Sequence, residues 1–60
     1  MNEFEKLVRI RLIEKGMKIG KLAELLGISF PYLHDILTDK RKASHQREKI
    51  CDILGIEKEV

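Results

Sequence analysis

The sequence predicts an all-α domain, and three observations support that class. Apolar residues recur at the i, i+3, i+4, i+7 spacing of an amphipathic helix, as Ile19, Leu22, Ala23 and Leu26 do. Glycines stand where such patterns end, which is typical of helix C-termini. The composition, 43% hydrophobic and 37% charged with one proline, is that of a folded, helix-rich chain. Sixty residues fit one small domain with a thin core, so we expect a single domain over residues 1–60.

The first helix is predicted to begin at residue 2 or 3 and to run to about Lys15. Asn2 suits its N-cap, and Gly16 ends it. Ile10 and Ile13 fall outside its apolar stripe, so they either widen that stripe toward the last helix or stay exposed as candidates for a partner surface. The expected core stripe consists of Phe4, Leu7, Val8 and Leu12.

Two short helices joined by a tight turn are predicted between residues 19 and 37. Gly27 supplies the left-handed residue that ends the first of them. Ser29 is a good N-cap for the second, and Pro31 is tolerated in a first helical turn. Because proline disfavours helical geometry at Phe30, the cap lies either at Ser29 or one residue later.

The second of these helices has two chemically different faces. Leu33, Ile36 and Leu37 point to one side, which we expect to be the core. The opposite side carries Pro31, His34, Asp35 and Thr38. Two packed helices joined by a glycine turn, the second with a polar outer face, have the shape that enters a DNA major groove.

The last helix is predicted from Ser44 or His45 to Leu54. Ser44 is the expected cap, Gly55 ends the helix, and Ile56 can fold back onto it. The residues expected to close the core are Ile50, Cys51, Ile53 and Leu54.

The net charge of +2 is weak evidence for a nucleic-acid partner, but the placement of charge is more informative. Lys40, Arg41 and Lys42 form a basic loop directly after the polar-faced helix. A phosphate backbone favours such a local patch, and the alternative is a solvated loop. Acidic residues gather near the termini at Glu3, Glu5, Glu57 and Glu59.

Several of these features occur together in one known family. The relevant segments, in order, are Leu22-Ala23, Gly27-Ile28-Ser29, Leu33, Ile36-Leu37, Lys40-Arg41-Lys42 and Ile53-Leu54-Gly55-Ile56. Their order and spacing resemble the Cro/C1-type helix-turn-helix regulators, also called the Xre family. The resemblance implies a lambda-repressor-like bundle of four or five helices whose third helix reads operator DNA, usually as a dimer. It also implies a repressor or other transcription regulator from a bacterium, phage or prophage.

The outer positions of the third helix are the candidate base-reading residues. Phe30 and Pro31 can pack on thymine methyls, His34 can donate to guanine, and Asp35 can accept from cytosine N4. Two alternatives stay open: Phe30 can lie half in the core, and Asp35 can pair with a nearby lysine or arginine. The full base-reading set is Ser29, Phe30, Pro31, His34 and Asp35.

A second set of residues is expected on the phosphates. In the resembled family, the loop before the last helix and the start of that helix lie along the DNA backbone, and Arg47 can assist there. Tyr32 either binds a phosphate or covers the core. The full phosphate set is Lys18, Tyr32, Thr38, Lys40, Arg41, Lys42 and Ser44.

The chain departs from the family pattern at several places. Ile19 replaces a glutamine that in many relatives touches a phosphate, so that contact is in doubt. Leu12 and Leu37 stand where relatives often have a partly buried Arg–Glu pair. We expect a core contact between them, because an apolar replacement of both partners can be neutral. Asp39 replaces a frequent glycine and Ala43 a frequent proline, so we expect the turn to be kept and the basic loop to be looser.

Enzymatic and metal-dependent functions are not expected. His34 and Asp35 are adjacent, with no nucleophile or metal set beside them, and a 60-residue helical domain has little room for a pocket. Cys51 is the single cysteine and is expected in the core. No cofactor, small-molecule substrate or membrane partner is predicted. Without an 18-residue apolar run or a signal peptide, we expect a cytoplasmic protein.

The alternative function is a helix-turn-helix scaffold used as a protein-interaction module, such as an antirepressor or an assembly factor. Ile19, the apolar pair Phe30-Pro31 and the low net charge favour it, whereas the basic loop disfavours it. A homodimer would have to use Ile56, Val60 or the exposed sides of the first and last helices.

Overall fold

The computed structural model describes residues 2–57, and four α-helices occupy most of that range. They are α1 (Glu3–Lys15), α2 (Ile19–Leu26), α3 (Phe30–Leu37) and α4 (Ser44–Leu54). The all-α class and the four predicted helices are confirmed. α4 packs against both α1 and α2, while α2 also packs against α3. The α2–α3 pair therefore rests on a base formed by the first and last helices.

Asn2 caps α1 and also ties it to the end of α3. Its side-chain oxygen accepts a hydrogen bond from the Glu5 N–H at 2.8 Å, which confirms the predicted cap. Its side-chain N–H donates to the Leu37 carbonyl at 2.7 Å. The first N–H groups and the last carbonyls of a helix have no partners within it. One amide side chain thus satisfies such a donor of α1 and such an acceptor of α3.

The core is built from apolar residues of all four helices. Leu12 and Leu37, the expected replacement for a family ion pair, both lie in it. No charge therefore has to be buried at either position, which avoids the desolvation cost of a buried pair. The buried cluster consists of Val8, Leu12, Leu22, Ala23, Leu26, Leu33, Ile36, Leu37, Ile50 and Leu54.

The outer side of α1 exposes several large apolar side chains to solvent. Leu7 was expected in the core stripe, but this prediction is wrong, because the residue is 43% exposed. One residue before Val8, it is rotated by about 100° from the core direction. Ile10 and Ile13 are 44% and 79% exposed, so the exposed alternative holds for both.

All four helices end with the same backbone motif. The N–H of the second residue beyond α1, α2 and α4, and of the third residue beyond α3, donates to the carbonyl five positions earlier, and the residue before the donor is left-handed. That residue is glycine after α1, α2 and α4, but it is Asp39, with φ 67°, after α3. The prediction that Asp39 keeps the turn is confirmed. The four bonds are Met17 to Leu12 (2.9 Å), Ile28 to Ala23 (3.1 Å), Lys40 to Asp35 (2.9 Å) and Ile56 to Cys51 (2.9 Å).

Two expectations about α4 are wrong. Ser44 is the first helical residue rather than the cap, and its side chain makes no capping bond. The cap position belongs to Ala43, which is left-handed at φ 37° and whose carbonyl accepts from the Arg47 N–H. Proline, which fixes φ near −65°, could not adopt this conformation. Cys51 is half-buried at the margin of the core rather than inside it.

Candidate nucleic-acid interface

The junction between α2 and α3 is short, and hydrogen bonds close both of the helix ends that meet there. Gly27 adopts φ 70°, and its N–H donates to the Glu24 carbonyl at 3.1 Å. Ser29 then caps α3, since its hydroxyl accepts from the Tyr32 N–H at 3.2 Å. The cap therefore lies at Ser29 rather than one residue later, and Pro31 fits inside the first turn. Residues of the junction itself therefore end α2 and begin α3.

The faces of α3 divide as the sequence predicts. Leu33, Ile36 and Leu37 are fully buried. On the opposite side Pro31 and His34 are exposed. Phe30 is 49% exposed, so about half of its surface faces solvent at the start of the helix. The start of α3 thus presents two apolar rings and an imidazole to solvent.

Asp35 and Arg41 form an ion pair on the outside of α3. The Asp35 carboxylate lies 3.8 Å from the Arg41 Nε, and the Asp35 carbonyl accepts from the Lys40 and Arg41 N–H groups. Arg41 also lies over the Tyr32 ring, 5.4 Å from its centroid. Of the two roles left open for Asp35, the structure shows pairing with an arginine. Tyr32 is half-buried against the core, so it does cover the core.

The hydroxyl of Thr38 is already used within the helix. It donates to the His34 carbonyl at 2.9 Å, and a hydroxyl has only one proton to give. A phosphate oxygen is an acceptor, so Thr38 must break this bond before it can contact one. Lys18, at the N-cap of α2, is exposed, and its side chain makes no capping hydrogen bond that a phosphate contact would have to break.

Three exposed cations follow α3. Lys40, Arg41 and Lys42 occupy the loop between α3 and α4, and Ser44 is exposed at the start of α4. Because Lys40 is hydrogen-bonded through its backbone to the last turn of α3, the loop begins directly beside that helix. The polar face of α3 and the basic loop are therefore neighbouring parts of one surface.

Arg47, which was considered as a helper on the phosphates, is engaged inside the scaffold. Its Nη1 lies 3.3 Å from the Asp39 carboxylate, and its guanidinium stacks over the Phe4 ring at 4.3 Å. These contacts hold the left-handed residue after α3 against α1. Sequence reasoning missed this arrangement and the Asn2 bond to Leu37, because no local spacing brings these residues together.

The sequence matches the profile of the Cro/C1-type HTH DNA-binding domain over residues 8–58. The chain belongs to the Cro/C1-type helix-turn-helix family. Comparisons with curated proteins and with solved structures give no match. The family predicted from the sequence is confirmed, and it identifies the α2–α3 unit as part of a DNA-binding domain.

One departure from the Cro/C1-type pattern has a clear structural result. Ile19, which replaces a glutamine found in many relatives, is half-buried and packs against the core. Its side chain has no hydrogen-bonding group, so this domain uses the position for packing instead of a phosphate contact.

Two further observations concern the part of this Cro/C1-type domain that the structure describes. Within residues 2–57, no group of three or more His, Cys, Asp or Glu side chains is placed to hold a metal ion. None of the helices in the same range has the length and apolar character needed to cross a membrane.

Proposed function

We propose that this chain is a sequence-specific transcriptional regulator that places α3 in the major groove of operator DNA. The observation that supports this most strongly is the division of α3. Its inner residues Leu33, Ile36 and Leu37 are fully buried, while Phe30 and His34 are free on the outside, beside the basic loop. A helix that is firmly seated on its own core can enter a groove without losing its packing.

Within this proposal the start of α3 reads the bases. Phe30 and Pro31 contact thymine methyl groups, and His34 donates to guanine O6 or N7. Ser29 reaches a base edge only at the margin, since its hydroxyl also caps the helix. Asp35 accepts from cytosine only where DNA displaces it from Arg41, so its first role is to hold the basic loop.

The basic loop and its neighbours bind the backbone on either side of the groove. Lys40, Arg41 and Lys42 supply the charge, and Ser44 adds a hydrogen bond at the start of α4. Lys18, Tyr32 and Thr38 complete the set at its edges. Such contacts fix the position of the protein without reading sequence, and they make binding depend on salt.

We further propose one domain over residues 1–60 that acts as a repressor in the cytoplasm, by occupying its operator as a homodimer. Two-fold binding requires half-sites about 34 Å apart, one helical turn of DNA. Ile13 on α1 is 79% exposed and offers an apolar contact for a second copy. Ile56, a second candidate from the sequence, is half-buried against the core, and Val60, a third, lies outside the described residues.

The test is selection of bound duplexes from a random DNA pool, followed by affinity measurements across a salt series. We expect a short palindromic consensus. His34→Ala should relax the preference at one position per half-site and weaken binding by about 1–3 kcal/mol. His45→Ala is the matched control, because His45 is exposed on α4 and should leave the consensus unchanged.

Arg41→Ala tests the electrostatic part of the proposal. We expect weaker binding to all sequences and a salt slope lowered by about 1. If no consensus appears and binding to DNA is weak and sequence-blind, the protein-interaction alternative replaces this proposal.

A further inference from the structure

An open groove of about 650 Å³ lies between the start of α1 and the body of α4, and we call it the α1/α4 groove. Phe4, Leu7, Cys51 and Ile56 form its apolar part. Leu7 is 43% exposed, and Ile10, one turn further along α1, is 44% exposed. The two residues lie on the same side of α1, so this face has a continuous apolar area that the described residues leave partly exposed.

The rim of the α1/α4 groove is acidic. The carboxylates of Glu3, Asp39, Glu48 and Glu57 line it, together with a single cation, Arg47. That cation is already placed 3.3 Å from the Asp39 carboxylate. The chain as a whole carries a net charge of +2. The residues that line this groove therefore differ in charge from the chain as a whole, since they include four carboxylates and one cation.

This combination restricts what can occupy the groove. Nucleic acid is disfavoured, because its phosphates would meet the acidic rim. A second copy bound by two-fold symmetry would present the same patch, and so the same carboxylates, to this one. A helix with an apolar stripe flanked by lysine or arginine complements both features, because its stripe fills the apolar part and its cations meet the rim.

We propose that the α1/α4 groove is a docking site for a basic amphipathic helix of a protein partner, separate from the DNA-reading face. Leu7 and Ile56 receive the apolar residues of that helix, and Glu3 and Glu57 pair with its cations. The proposal does not depend on DNA binding by α3.

The test uses the ¹⁵N-labelled full chain without DNA and a synthetic helical peptide of about 15 residues, roughly four turns. The peptide carries leucine at i, i+3, i+4 and i+7 and lysine on both flanks. A second peptide has glutamate in place of every lysine. We expect the basic peptide to shift the amide signals of residues 3–7, 47–51 and 56, and we expect the acidic peptide to bind at least about tenfold more weakly.

Two variants and two matched controls locate the contact. Leu7→Lys and Glu57→Lys should each weaken the basic peptide by about tenfold, since one places a charge on the apolar part and the other reverses a rim charge. Ile13→Lys makes the same kind of change on α1 outside the groove, and Glu24→Lys reverses an exposed charge on α2. Both controls should bind the peptide as the parent chain does, and thermal unfolding checks that all four variants fold.

Three results would overturn the proposal. The first is equal binding of the two peptides, and the second is a loss of affinity in the controls as large as in the groove variants. The third is a concentration-dependent shift of the groove signals without peptide, which would assign the groove to a second copy of the chain. Because no DNA is present, none of these results bears on the role of α3.

Discussion

The ends of α2 and α3 have the same hydrogen-bond motif but opposite chemistry. After α2, the left-handed residue is Gly27 and the next is Ile28, which packs against the core. After α3, the corresponding residues are Asp39 and Lys40, and both are exposed. The first end therefore turns the chain back into the protein, whereas the second turns it out toward the surface that we propose for DNA.

The two ends also differ in where their support comes from. The α2 end is held by partners within a few residues along the chain, namely Ala23, Glu24 and the Ser29 cap. The α3 end depends on distant residues: Asn2 donates to the Leu37 carbonyl and Arg47 pairs with Asp39. A helix end can therefore stay exposed, and available for binding, when side chains distant in the sequence satisfy its polar groups.

The largest effect should come from removing the remote support of α3. Asn2→Ala should lower the free energy of unfolding by about 2–3 kcal/mol, because it removes the α1 cap and leaves the part-buried Leu37 carbonyl without its donor. Urea unfolding measures the change. Asn2→Ser is the control, since its hydroxyl keeps a cap acceptor but has no second group to reach Leu37, and it should cost about half as much. Equal stability of Asn2→Ser and the parent would mean that the bond to Leu37 contributes nothing.

The local support of α2 should be the next most sensitive. Gly27→Ala should cost about 1–2 kcal/mol, because φ 70° is unfavourable for an L-residue while the space around the glycine is open. Gly20→Ala is a matched control within α2: its surroundings are equally open and its φ is not positive, so it should stabilise the protein by about 0.5–1 kcal/mol. Thermal and urea unfolding of both variants give the comparison. If Gly27→Ala left the free energy of unfolding unchanged, alanine would adopt the left-handed conformation of this turn without measurable strain.

A smaller effect is expected when glycine is placed at the α3 end. Asp39→Gly relieves the backbone at φ 67° but removes the Arg47 partner, so the two terms should nearly cancel, to within about 0.5 kcal/mol. Asp39→Ala removes the partner without relieving the backbone and should cost about 1 kcal/mol. Unfolding curves for the two variants separate the terms. If both variants lose the same stability, backbone conformation is not what matters at this position.

The smallest change in stability, with a clear change in binding, should follow from copying the α2 end onto α3. Lys40→Ile should alter stability by no more than about 0.5 kcal/mol, as expected for an exposed position. Its DNA affinity should fall, with the salt slope reduced by about 0.9, if Lys40 neutralises one phosphate. Lys6→Ile, at an exposed lysine on α1, should keep the full slope. An unchanged slope in Lys40→Ile would place that residue outside the interface.

Much of this molecule could be predicted because its signals are local. Helical spacing fixed Leu33, Ile36 and Leu37 as the inner face of α3, and Gly16, Gly27 and Gly55 marked three helix ends. Each of these depends on residues a few positions apart, where the geometry of a helix decides which side chains share a face. The family assignment followed from the same local segments taken in order.

The remaining features depend on how the helices meet. Nothing near Leu7 in the sequence says that α4 leaves it partly uncovered, and its spacing from Phe4 suggested the core. Ser44 has a side chain suited to a helix N-cap, but Ala43 takes the cap position in a left-handed conformation. The helix α4 therefore begins at Ser44 instead of one residue later. Arg47 was considered for the phosphates because it follows the basic loop, whereas the packing of α4 directs it to Phe4 and Asp39.

The hydrogen bond from Asn2 to the Leu37 carbonyl spans 35 positions of the chain. Closing so long a segment costs conformational entropy that a glycine-ended turn does not incur, so this contact forms only when α1 and α3 have docked. When that docking loosens, the end of α3 should open before the α2–α3 turn does. Amide hydrogen exchange should then be faster at Lys40 and Arg41 than at Ile28, and contacts between the basic loop and DNA should slow it.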